Sequence, residues 1–484
     1  MTRSRGYGCL GIPLSGKVSD TLIRAASKTN IAPANDALPQ VKTEIPGPQS
    51  RAVFATEQAY IAPGRQRISL LAGIAFERGN GATLTDVDGN VYVDFFAGVA
   101  VASLGHGHPR LARALSEQAS RLMVGTFATP ERAEALRLLS EAAPGRLKRS
   151  HLYSGGAEAV EAALRLARSY TRKYEVLSFW GGFHGKTGGV IGLIGDESKQ
   201  GYGPLPGGQY QVPYAYCYRC PFQMEYPGCG LFCVEFGAKQ LKNASSGSLA
   251  AVIVEPFQGT AGNVIPPDDF MPAVRELANR LGAVLIADEM ITGFGRTGKM
   301  WGVEHTGVEP DIMTVGKGMG SGFPISGLLM GEDLCHAEPF AKPSASSSSY
   351  GGNPLAAVAV AETIRTIQSE NLVENSRKVG ALLLQRLLEL QEKYEFVGDV
   401  RGRGLLIGVE LVRDRPTKEP LASKVSKLIF TECLKRGLLA MAYFPRIRIN
   451  PPLVITEAQA EAGAQILDEV FAYVRDHVDW RAQG

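Results

Sequence analysis

Two short apolar runs inside Leu281–Met330 constrain this chain more than any other feature. Ala283–Ala287 ends on Asp288, and Asp311–Val315 delivers Lys317 between Gly316 and Gly318. Short β-rich runs bounded by turn signals predict strands buried on both faces, as in a parallel sheet covered by helices. In such a sheet the chemistry collects beyond the carboxyl ends of the strands. An acid and an amine delivered there can act on one ligand ring.

Further strand–loop–helix units surround that pair. In HLYSGGAEAVEAALRLARSYTRKY, His151–Tyr153 predicts a strand, Ser154–Ala157 a tight loop, and Glu158 onward a helix. Val160, Leu164 and Ala167 recur at helical spacing, with Glu161 and Arg165 as an i,i+4 pair on the outer face. A glycine pair opening a helix presents free N–H groups at the positive end of the dipole, which suits a phosphate. A plain glycine turn with Ser154 as N-cap is the alternative. VLSFWGGFHGKTGG ends another strand in a glycine-rich loop carrying Trp180, Phe183 and His184. An aromatic there either stacks on a ring ligand or joins the core. AAVIVEPFQG is a further buried strand closing on Glu255, and a helix is expected over Phe270–Arg280.

At 484 residues the chain exceeds one ordinary core, so two or three domains are expected. Residues 1–50 are loop-like. Residues 1–30 hold five Arg/Lys against one Asp, which suits either an organelle-targeting segment or an ordinary extension. GATLTDVDGNVYVDFFAGVAV is a hairpin turning at Asp88-Gly89, and a helix is expected over Leu111–Met123. His106 and His108 lack a third ligand nearby, so they shape a polar loop. The serine run before Tyr350 is either a linker or a buried or interface loop. From about residue 365, charged amphipathic helices alternate with strand pairs, the pattern of a separate α+β unit. There Arg446 and Arg448 share one side of a strand, as a fork for a carboxylate or as a solvated face. Cys217, Cys220, Cys229 and Cys233 form C-x2-C-x8-C-x3-C, spaced either for structural zinc or as reduced thiols in a packed aromatic loop.

A net charge of +3 suggests neither nucleic acid nor an anionic membrane as partner, and no apolar run reaches the roughly 18 residues of a membrane span. Seven cysteines in so long a chain imply a reduced compartment, with the cytoplasm as the expected location.

Four features call for one ligand: the Gly155–Ala157 loop, Phe183, Asp288 and Lys317. The nucleotide spacings G-x4-G-K-[ST] and G-x-G-x-x-G do not fit the helix-opening loop. Pyridoxal phosphate fits all four, because a lysine can engage its aldehyde and a carboxylate its ring nitrogen. DEMITGFGRTG followed by TVGKGMGSGFPISG also resembles the signature of the class III pyridoxal-phosphate aminotransferases. The likeness takes in DVDGNVYVDFFAGVAV, GHGHP, SGGAEAVEAALRLAR, GGFHGKT, VEPFQG, YGGNPLA and RINPPLVIT, in the family's order.

That resemblance implies a fold type I α/β enzyme, with a mostly parallel seven-stranded sheet in a large domain and a smaller α+β domain from the two termini. The division expected is residues 1–40 as an extension, 41–100 and 365–484 as the small domain, and 101–364 as the large one. It implies Lys317 as the Schiff-base lysine and proton shuttle, and Asp288 at the ring nitrogen. Phe183 and Met290 would take the two ring faces. Gly155, Gly156 and Ala157 would form the phosphate loop, with His184 and Glu255 among the cofactor contacts. Ser349 would reach the phosphate of a neighbouring subunit in a homodimer or dimer of dimers. Arg448 would receive the substrate carboxylate, and Val99 would border the substrate.

Three departures stand out. Gly155 and Ile291 replace a common Ser and Gln, and Thr260 stands where 4-aminobutyrate and ornithine enzymes carry a Glu that neutralises the arginine. The activity implied is transfer of an amino group from an ω-amino acid, diamine or primary amine to pyruvate or 2-oxoglutarate. A racemase or epimerase on the same fold is the alternative.

Overall fold

The computed structural model describes residues 37–482. The suggested targeting segment and most of the extension lie outside the described residues. Seven strands form the central sheet: β1 (Arg149–Tyr153), β2 (Glu175–Phe179), β3 (Gln209–Val212), β4 (Leu249–Val254), β5 (Val284–Asp288), β6 (Ile312–Val315) and β7 (Ser326–Met330). Their spatial order is β1-β7-β6-β5-β4-β2-β3. Only β7 is reversed in this sheet, pairing antiparallel with β1 and β6, while β6, β5, β4, β2 and β3 run parallel. Every residue of β4, β5, β6 and β7 is buried, so these strands are continuously apolar rather than alternating.

Helices cover both faces. Gly156–Thr171 buries Val160, Leu164 and Ala167, and Phe270–Leu281 ends on Gly282 in the left-handed conformation. The expected Glu161–Arg165 pair is replaced. The Glu161 carboxylate instead accepts from the Thr187 hydroxyl and the Gly189 amide, because two donors in one loop outcompete an exposed arginine.

The hairpin at Asp88-Gly89 forms as Thr83–Asp86 paired with Val91–Asp94, with Phe76–Asn80 alongside. Leu438–Leu439 adds to it in parallel with Val91–Asp94, joining the two ends of the chain. The remaining antiparallel sheet contains Val397–Arg403, Leu406–Asp414 and Arg446–Ile449, backed by long helices Leu372–Lys393 and Glu457–His477. A helix over Pro48–Tyr60 begins inside the stretch expected as loop, started by Pro48 at its first position. The helix expected over Leu111–Met123 runs over Pro109–Ala119, again with proline at its start. Among the described residues no helix is long and apolar enough to cross a membrane.

Candidate active site

A cavity of about 390 Å³ opens beyond the carboxyl ends of β5 and β6, and Asp288, Lys317, Gly156, Ala157, Phe183, His184 and Met290 line it. Strand pairing sets Asp288 directly opposite Thr314, which lies three residues upstream of Lys317, so the ladder places the carboxylate close to the start of the lysine's turn. Asp288 is 2% exposed. Its Oδ1 accepts from the Met290 amide at 3.1 Å and the Thr314 hydroxyl at 3.1 Å. Its Oδ2 lies 2.6 Å from His184 Nδ1. Burial works against charge on His184, but the hydrogen bond and charge of Asp288 outweigh it and hold the imidazolium above its ordinary range.

Lys317 sits in the left-handed region at φ 43°, just after extended Gly316. Burial pushes its ammonium below the ordinary lysine range, with Arg448 adding to the effect and Asp288 and Glu255 opposing it. Gly316 owes its identity to packing: a Cβ there would lie 2.6 Å from the Met290 sulfur, and one at Gly156 would lie 3.3 Å from it. Met290 is thereby wedged between the lysine's strand and the helix-opening loop.

At that loop the Glu158 carboxylate reaches back to accept from the Gly155 amide at 2.7 Å and the Ser154 amide at 3.2 Å. The N-cap is Gly155, not Ser154. The first-turn amides of Gly156 and Ala157 have no intrahelical acceptor, and both residues face the cavity. An anion is favoured there by the free N–H groups and the helix dipole.

Other expected residues stand further back. Glu255 follows β4 and braces the cavity wall, accepting from the Phe183 amide at 3.1 Å and the Gly259 amide at 2.9 Å. Burial raises its carboxyl above the ordinary range. Arg448 donates to the Gly259 carbonyl at 3.4 Å, with the Tyr443 hydroxyl as a second partner. Burial lowers its guanidinium, opposed by Tyr443 and Glu255. Ile291 packs against Gly259 and Phe257. Ser349 is exposed, in the loop whose Ser346 carbonyl accepts from Tyr153 and contacts His151. Val99 lies in a turn, Ala97–Ala100, whose four residues all have positive φ. The Asp94 carboxylate holds that turn through the Phe96 and Ala97 amides. Arg448, Ser349 and Val99 do not line this cavity, whereas Val101 does.

Sequence reasoning gave no role to Thr314, Val101, Lys186 or the segment Gly322–Ile325. Thr314 was within reach, because aligning the two apolar runs as neighbouring strands puts it opposite Asp288. The other lining residues fall within motifs that carry the family resemblance, DVDGNVYVDFFAGVAV, GGFHGKT and TVGKGMGSGFPISG, but residue type alone gave none of them a role.

The chemistry on offer is an anion seat at a helix start, a buried carboxylate for a cationic ring nitrogen, and an amine of lowered basicity. Comparison with known proteins agrees. The aminotransferase class-III family model matches residues 65–471. The chain is 34% identical over 422 residues to the leucine/methionine racemase of Thermococcus litoralis, covering 86% of this chain and 94% of that protein. It is 36% identical over 402 residues to the acetylornithine aminotransferase of Methanothermobacter thermautotrophicus, covering 82% and 94%. Its fold matches the (S)-enantioselective omega-transaminase of Thermomicrobium roseum with a TM-score of 0.82 at 31% identity, covering 90% of this chain and all of that one. The chain belongs to the class III aminotransferases, enzymes that work with pyridoxal phosphate on an amino donor and a 2-oxo acid.

Proposed function

We propose that this enzyme moves an amino group from an ω-amino acid, diamine or primary amine to a 2-oxo acid such as pyruvate or 2-oxoglutarate, in two half-reactions at one site. The observation behind it is the meeting of Lys317, Asp288 and the Gly156–Ala157 amides on a single cavity. Pyridoxal phosphate, when bound, supplies a carbonyl for the amine and a protonated ring that accepts the electron pair released at the substrate Cα. The Gly156 and Ala157 amides would bind its phosphate, and Asp288 would keep its ring nitrogen protonated. Phe183 and Met290 would flank the ring. His184, pinned to Asp288, would orient that carboxylate, and Glu255 would hold the loop behind Phe183.

Burial lowers the basicity of Lys317, which favours the uncharged amine that attacks a carbonyl. The same Nζ would carry the proton between the substrate Cα and the carbon that receives it. Arg448 would take the substrate carboxylate, with Val99 bordering the substrate. Thr260 offers no carboxylate to neutralise Arg448, which disfavours strict use of 4-aminobutyrate or ornithine. Ser349 would complete the phosphate seat of a neighbouring subunit, in a homodimer or dimer of dimers in the cytoplasm. Residues 41–100 and 365–484 would form the small domain around a large domain of 101–364.

The test is spectroscopic. An amine donor alone should shift the cofactor absorbance, and a 2-oxo acid should restore it. If no donor in a broad panel shifts the spectrum, the proposal is wrong. Borohydride should fix the cofactor to Lys317, and Lys317→Ala should abolish turnover with the fold intact. The racemase relative supports a second reading, in which Lys317 returns the proton to Cα. Loss of optical activity in one amino acid without any oxo acid would establish that reading instead.

A further inference from the structure

We propose that Cys217, Cys220, Cys229 and Cys233 bind one zinc ion, which fastens the loop after β3 against the strand Leu406–Asp414. The two pairs are separated in sequence yet line one cavity of about 20 Å³, room for about a single small occupant. Cys217 opens a single helical turn, Cys217–Arg219, and Cys220 follows it. Cys233 lies in the first turn of the helix Phe232–Ala244. Spacings of C-x2-C and C-x3-C on such tight turns are those of structural zinc.

The rest of the lining is apolar or aromatic, with Phe222 packed 4.9 Å from Phe232 and 5.1 Å from Phe236 between ring centroids. No carboxylate or imidazole enters this lining, so the donor set is purely soft and selects zinc over magnesium or calcium. A cavity this small also disfavours an iron–sulfur cluster. All four thiols are free. Among the described residues the only three ligand atoms already within 4.8 Å of one another are those of Glu332, Cys335 and His336, on the surface. A bound ion would hold the four sulfurs about 3.8 Å apart, for tetrahedral bonds of about 2.3 Å.

The residues beside Cys217 show what the ion would secure. The Tyr216 hydroxyl and Arg219 Nε both donate to the Glu410 carboxylate, and Arg219 Nη1 donates to the Lys418 carbonyl at 2.8 Å. Arg401 lies 4.9 Å over the Tyr216 ring and donates to the Gly262 and Asn263 carbonyls. Those carbonyls follow Gly259, the partner of Arg448. A fixed cysteine turn would thus brace the loop beside Arg448, although metal binding itself does not depend on the role given to Arg448.

The experiment is metal analysis of the full-length holoenzyme from zinc-supplemented cells, purified without chelator. We expect about one zinc per chain, falling below about a tenth in Cys217→Ser with Cys220→Ser and unchanged in Cys335→Ser. If the double variant does not fold, the wild-type protein still decides the matter. A zinc chelator should release the ion, lower the melting temperature and expose four further thiols to a thiol reagent, with the cofactor spectrum retained. Zinc-free wild-type protein would overturn the proposal, as would zinc lost only with Cys335, iron with labile sulfide, or thiols equally reactive with and without chelator.

Discussion

Asp288 ends one of two adjacent hydrogen-bonded strands and Lys317 follows the other by two residues, whereas Arg448 comes from a different sheet and touches the site region through the Gly259 carbonyl. At the first end, position is set by the backbone ladder: a residue opposite Thr314 has one place to be. At the second, the backbone of Arg448 is likewise paired, opposite Gly408, but its long side chain reaches a loop carbonyl and the Tyr443 hydroxyl, contacts that a rotation of that side chain can exchange. The first end is therefore the more rigidly placed of the two, and the second the more adjustable.

The largest effect should come from breaking the rigid end. Asp288→Asn removes one partner of a buried hydrogen-bonded charge pair, a loss of about 2–5 kcal/mol, so kcat/KM should fall on the order of 10²–10³-fold. Thr314→Val removes one donor to the same carboxylate and should cost about tenfold. Steady-state kinetics and cofactor retention after gel filtration check both. Equal losses would mean that orientation, not charge, is what Asp288 contributes.

Breaking the adjustable end should be gentler and selective. Arg448→Met should raise KM for a 2-oxo acid by about 10–100-fold, the worth of a charge-assisted hydrogen bond. The half-reaction of an amine without a carboxylate should proceed as before. Rapid-mixing absorbance separates the two half-reactions, and an equal loss in both would place Arg448 in the common machinery.

This contrast also explains what the sequence made legible. The buried strands β4 to β6 announce themselves as apolar runs; Asp288 ends β5, and Lys317 follows β6 by two residues. Glycines before a helix mark the anion seat for the same reason. From strand alternation alone Arg448 was one of two arginines, singled out by the family resemblance, because its partner Gly259 is distant in sequence. The Glu161–Arg165 pair was misjudged, since spacing along a helix says nothing of the loop that competes for the carboxylate. Nothing in the order of residues marks Val101 over Val99 as cavity-lining; the positive-φ turn that decides it is a product of the Asp94 carboxylate and the surrounding packing.

A smaller effect probes how tightly the rigid end is packed. Gly316→Ala sets a methyl against the Met290 sulfur, and such overpacking costs about 1–3 kcal/mol. The melting temperature should drop by about 2–4 °C for each kcal/mol. In a Met290→Ala background the same substitution should cost much less, since the obstructing sulfur is gone. An undiminished cost would locate the clash elsewhere.

The smallest effect belongs to the adjustable end and to pH. His305 stacks edge-on against Phe257, 5.4 Å away in the loop that carries Gly259, and its Nε2 lies 3.0 Å from the Thr297 hydroxyl. Burial, followed by the charges of Arg403 and Lys299, lowers its imidazolium to about 4 from the ordinary 6.5. Between those values the unfolded chain takes up a proton that the folded chain refuses. Stability is therefore full above about pH 6.5 and lost as the pH falls towards 4. Discounted for partial exposure, the loss is about 1–2 kcal/mol. Denaturant titrations from pH 7 to 4.5 should show this slope in the wild type and a shallower one in His305→Gln. Because Phe257 belongs to the loop and not to β5 or β6, acid should raise KM for carboxylate substrates before the cofactor spectrum changes. The reverse order would mean that strand and loop yield together.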